Sequence, residues 1–181
     1  MNTVSISFLS GILILSALID FRRQKIPNLI TYPSMVIALS YHVALRGIDG
    51  LLFSLAGLAI GIIVFLVPYL MGGMGAGDAK LMGVVGALIG AKGVIFAFLC
   101  TAIVGGIYAL VLILVHRAYF GSFFKKQLTT LKTIILTRQF TLDPIQNVQN
   151  KPRLCYGIAI AIGTGLYMFL NQSGYEIFNQ F

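Results

Sequence analysis

The chain has 181 residues, 58% of them hydrophobic before its 20 glycines are counted, and only 10% are charged. Soluble domains are roughly 45–50% apolar with glycine included and about 25% charged, so a mean hydropathy of +0.93 excludes a water-soluble fold and indicates an integral membrane protein. The net charge of +8, from 13 Lys and Arg against five acids, then describes loops rather than a nucleic-acid face, and no nucleic-acid partner is expected.

The first apolar run extends from about Val4 to Ile19 and ends at Asp20. No basic segment precedes it and no small-x-small cleavage site follows, so it reads as a retained helix and not a signal peptide. Run two lies between about Leu29 and Leu45, opened by Ile26-Pro27-Asn28; proline suits a helix start, where early amides have no intrahelical acceptor. Run three goes from Leu51 to Gly77, and its glycines from Gly72 to Gly77 mark an end. After Asp78 and Lys80, run four has only eleven residues before Lys92. A bilayer core of about 30 Å needs around 20 residues, so this run calls for snorkelling, tilt or a protein-lined recess. Run five is Gly93 to Val115, and run six is about Leu154 to Leu170.

The expectation is an all-α, polytopic membrane protein of about six transmembrane helices, folded as one domain over 1–181. Within the long loop His116 to Arg153, the apolar residues Phe124, Leu128, Leu131 and Ile135 recur at helical spacing, which predicts an interfacial amphipathic helix. With Met1 outside, eleven basic residues fall on the cytoplasmic side: Arg22, Arg23, Lys25, Lys80, Arg117, Lys125, Lys126, Lys132, Arg138, Lys151 and Arg153. Arg46 and Lys92 fall outside. The excess of positive charge inside predicts both termini outside the cytoplasm.

On that topology Asp20 and Asp78 meet the same membrane face. Two carboxylates sharing a poorly solvated recess repel when both are charged and readily share one proton. Such a pair suits peptide hydrolysis: the ionised member takes a proton from an attacking water, and the protonated member donates to the carbonyl oxygen. No metal, cofactor or nucleophilic serine is required. Gly75 and Gly77 beside Asp78 offer backbone freedom and close approach to an extended substrate. Plainer roles stay open: Asp20 pairs with Arg22, Arg23 or Lys25, and Asp78 caps a helix or pairs with Lys80. Asp49 reads as solvent-facing, Asp143 as a turn residue, and Glu176 and His42 as lying towards the opposite face. Cys100 and Cys155 read as inert thiols. A proton- or cation-coupled transporter and a structural subunit of a secretion assembly remain alternative functions.

The segment Gly75-Ala76-Gly77-Asp78-Ala79-Lys80-Leu81 resembles the Gly-x-Gly-Asp-x-Lys-Leu motif of the type IV prepilin peptidase family, membrane aspartic proteases of pilus and secretion systems. Asp20 followed by Arg22 and Ile26-Pro27-Asn28 resembles the family's first catalytic region. Pro152 to Ala161, including Tyr156 and Gly157, resembles a third segment, with Cys155 where the family often has proline. The resemblance implies that Asp20 and Asp78 are the catalytic pair, that Gly75, Gly77 and Lys80 support the catalytic loop, and that Pro27, Asn28, Pro152, Tyr156 and Gly157 are structural motif positions. It also implies an inner-membrane protein that removes short basic leaders from prepilins or pseudopilins, with membrane lipids and the pilus or secretion machinery as partners. The compact size is similar to the minimal peptidases of tight-adherence pili, without the cysteine-bearing region of relatives that also methylate.

Overall fold

The structure, a computed structural model, describes residues 3–23, 25–70, 73–115 and 156–172. They form helices α1 (Thr3–Arg23), α2 (Asn28–Leu70), α3 (Ala76–Val115) and α4 (Tyr156–Gln172). The all-α class matches the expectation. The expected interfacial helix of the long loop lies outside the described residues.

The expectation of about six transmembrane helices is corrected. Three described helices are long and apolar enough to cross a membrane: α1, α2 and the Ala76–Val111 part of α3. Hydropathy places breaks at charged residues, yet the chain is helical on both sides of Arg46 and Asp49 and through Lys92. Runs two and three are joined within the 43 residues of α2 and runs four and five within the 40 of α3, each pair across a single break in helical geometry. The sixth run yields α4, whose 17 residues make about 26 Å of helix.

Each long element is broken once, at a glycine. Gly47 has φ 60° and ψ −132°, and Gly90 has φ 81° and ψ 175°, conformations that a side chain makes unfavourable. Contacts along α3 show what these breaks do. Residues 28 and 32 of α2 meet Lys80, and His42 meets Leu88, so the limb before Gly47 runs parallel to the start of α3. Beyond Gly47 the order inverts, because Gly57 abuts Gly86 and Gly61 abuts Met82. Thus α2 doubles back. The same holds for α3, where Gly86 faces Val94 across Gly90 and Phe98 reaches Phe65 with ring centroids 5.5 Å apart.

The limb of α3 before Gly90 is the centre of the packing. Every residue from Leu81 to Gly90 is buried, which is how an apolar helix behaves when surrounded by protein. Backbone-to-backbone approach holds one side of it: a Cβ on Gly57 would run into the carbonyl of Gly86, and one on Gly86 into that of Gly57. Nearby, the Ser54 hydroxyl donates to the Ala87 carbonyl at 2.8 Å. Run four is short because protein walls this limb. Outward faces are apolar instead, with Leu29 84%, Ile48 77% and Ile103 64% exposed, a surface that suits lipid and not water.

The chain divides into two compact units, Met1–Gly106 with Leu154–Phe181, and Ile107–Arg153. The site described next lies within the first. Of the second, the described part is the end of α3.

Candidate active site

Asp20 lies in the last turn of α1 and is 4% exposed. Its Oδ2 accepts the backbone N–H of Gly157 at 2.9 Å. Gly157 is the second residue of α4, and the first amides of a helix have no partner within it. A side chain from α1 thus caps α4, with the carboxylate at the positive end of that helix's dipole. The approach depends on glycine, since a Cβ at 157 would stand 2.8 Å from Asp20 Oδ2 and 2.9 Å from its Cβ.

Asp78 is the third residue of α3 and is 7% exposed. Its Oδ2 accepts the N–H of Gly75 at 3.0 Å, while its own N–H donates to the Gly75 carbonyl at 3.1 Å. This reciprocal pair works as a capping box does, the side chain at the third helical position reaching back to the cap amide. The capping role weighed from sequence is therefore present. Burial and capping coexist with a second acid, for Asp20 lies within electrostatic reach of Asp78. The half-buried phenol of Tyr156 also lies within electrostatic reach of Asp78. Residues from three distant segments, 20, 78 and 156–157, thus converge.

The expected supporting residues have specific contacts. Gly77 rests on the α1–α2 connection: a Cβ there would be 2.9 Å from the Ile26 carbonyl oxygen and 3.0 Å from the Ile26 Cβ. Gly75 is less constrained, its hypothetical Cβ lying 3.5 Å from Asp78 Oδ2. Neither has a positive φ, so close approach and capping, not unusual dihedrals, account for this pair. Pro27 offers its carbonyl to the Ile30 N–H at 3.1 Å, closing the first turn of α2. Lys80 Nζ donates to Asn28 Oδ1 at 2.8 Å and to Tyr32 Oη at 3.0 Å. Pro152 lies outside the described residues.

Tyr32 is the contact that sequence reasoning missed. The available signal was its spacing, four residues after Asn28 and so on the same face of α2. His42 stands apart from the acids: its Nε2–H donates to the Leu88 carbonyl at 3.2 Å, ten residues and about 15 Å along α3 from Asp78. Asp49 is exposed on α2. Asp143, Glu176, His116 and Cys155 lie outside the described residues. Among the described residues, no three His, Cys, Asp or Glu side chains gather as metal ligands would.

Two buried carboxylates at the ends of helices have the chemistry of proton donors and acceptors, the protonated form giving and the ionised form taking a proton. The sequence model of the type IV leader peptidase family matches residues 7–110, which include both acids. The chain belongs to that family. It is also similar to the prepilin leader peptidase/N-methyltransferase of Vibrio cholerae serotype O1, with 31% identity over 96 residues. That alignment covers 50% of this chain and 38% of the relative, so the chain matches well under two thirds of the relative's length. No solved structure matches it. For this leader peptidase family member, Tyr156 and Gly157 fall beyond the matched residues, and their place beside the acids comes from the fold.

Proposed function

We propose that this protein is an aspartic endopeptidase that removes short basic leaders from prepilins or pseudopilins, with Asp20 and Asp78 activating one water. The reading is supported by two buried carboxylates, each accepting a backbone amide and the one within electrostatic reach of the other, in a chain of the leader peptidase family. One carboxylate removes the proton from water as it attacks the scissile carbonyl. The other donates to the carbonyl oxygen, and proton return to the departing amine completes hydrolysis. The Gly157 and Gly75 amides hold the two side chains in place for this exchange.

The end of α1 carries Arg22 and Arg23 in its last turn, with Lys25 following, so this end faces the cytoplasm and Met1 lies outside. The acids then stand on the cytoplasmic side of a bacterial inner membrane, where a basic leader precedes the substrate's apolar helix. Partners are the pilin precursors, membrane lipids and the pilus or secretion machinery. The unit of Met1–Gly106 with Leu154–Phe181 carries the site.

The test is cleavage of a co-expressed pilin precursor in membranes, with the enzyme's abundance followed in parallel. Asp20→Asn and Asp78→Asn should each lower cleavage by more than about a hundredfold without loss of inserted protein. Normal processing by either variant refutes the assigned pair.

A further inference from the structure

Lys80 stands two residues beyond Asp78, and its ammonium is held by two side chains of α2. Asn28 Oδ1 accepts at 2.8 Å and Tyr32 Oη at 3.0 Å, while Nζ lies 4.6 Å from the centroid of the Tyr32 ring. A single exposed ion contact contributes little. Here an amide oxygen and a phenol oxygen accept from one cation, beside the ring that carries the phenol.

The position of these contacts matters more than their number. Just before Asp78, Gly77 is pressed on Ile26; just after it, Lys80 is tied to the first turn of α2. Asp78 is therefore bracketed by two attachments to residues 26–32. Asp20 joins the same stretch of chain through the last turn of α1. Whatever fixes the start of α3 to that stretch also fixes the separation of the two carboxyl groups.

We infer that Tyr32 and Lys80 form a clamp that positions Asp78 against Asp20, with Tyr32 a positioning residue for hydrolysis. This rests on the proposed catalytic pair. The clamp acts through geometry: Tyr32 meets neither the water nor the scissile bond, and loosening it lets the capped first turn of α3 shift relative to α1. A shift of that kind lowers turnover and leaves substrate binding in place.

Two measurements on the full chain in membranes test it. In the first, Tyr32→Phe, Lys80→Met and the double variant are assayed for kcat and KM on a pilin precursor, normalised to inserted protein. Tyr32→Phe keeps the ring and removes the acceptor, and should lower kcat about three- to tenfold with KM unchanged. Lys80→Met should lower it further, and the double variant should be no worse than Lys80→Met alone, since both lose the same contact. Unchanged kcat in both single variants, or an effect on KM alone, overturns the clamp.

The second measurement is independent of activity. Asp20→Cys and Asp78→Cys are combined in a chain carrying Cys100→Ala and Cys155→Ala, and crosslinking by a short bifunctional thiol reagent is timed with and without Lys80→Met. Crosslinking should slow several-fold when Lys80 is replaced, and an unchanged rate overturns the clamp. If Asp20→Asn retained cleavage, the catalytic reading would fall while this crosslinking rate still decided whether Lys80 sets the spacing.

Discussion

The contact between Asp20 and Gly157 is the tightest constraint on the site at the scale of single residues. Gly157→Ala places a methyl group within 2.9 Å of the Asp20 side chain, so the carboxylate must move off the α4 amide. Displacing a reacting group by about 1 Å can lower turnover on the order of 100-fold, and Gly157→Ala should do so with the protein still inserted; leader cleavage against abundance measures it. The two motif glycines should separate in the same assay. Gly77→Ala meets the Ile26 backbone and should be severe, whereas Gly75→Ala keeps the backbone N–H and C=O that make its capping contacts and should cleave at a rate near the unsubstituted protein's. Much of this neighbourhood was legible in the chain: Asp78 stands out as an acid set between glycines and an apolar run, and Asp20 as the acid that ends one. Gly157 was reachable only through resemblance, because nothing local to residue 157 says which side chain will dock on its amide. Tyr32 was passed over because a tyrosine near a membrane boundary has an ordinary explanation as an interfacial anchor.

Among the helices, the two glycine breaks determine which segments become neighbours. At Gly90 both the dihedral angles and the Phe53 ring oppose a side chain; at Gly47 the space is open and only the dihedral angle matters. Gly90→Ala should therefore destabilise by about 1–3 kcal/mol through the backbone alone, with a further steric part. Adding Phe53→Ala should relieve the steric part and leave the dihedral strain, which thermal unfolding in detergent can resolve. Gly106→Ala, with open space around the new methyl group, is the matched control. Hydropathy registered the apolar content of these elements, and its divisions between runs two and three and between runs four and five fall beside the breaks at Gly47 and Gly90. Charge at Arg46, Asp49 and Lys92 marks those divisions in a hydropathy profile, while the backbone turns at the neighbouring glycines.

For the molecule as a whole, the apolar exterior and the enclosed central limb divide the chain into residues that meet lipid and residues that do not. Ile103, 64% exposed, belongs to the first class; Ile103→Asp should reduce the yield of inserted protein, consistent with a penalty of order 2–3 kcal/mol for a charge in the hydrocarbon. The whole-chain composition revealed this exterior at once, since no soluble surface accommodates it. It could not reveal that the segment after Asp78 is wrapped by its neighbours, because an all-apolar run reads the same whether lipid or protein covers it. The enclosure of Leu81–Gly90 has a consequence for how the enzyme experiences its membrane. Acyl chains press on the outer limbs, which can tilt to follow a thicker or thinner bilayer, while the limb that carries Asp78 is insulated from that adjustment. Reconstituted into vesicles of increasing acyl-chain length, the protein should hold a nearly constant turnover across several ångströms of hydrocarbon thickness, even as the tilt of α1 changes.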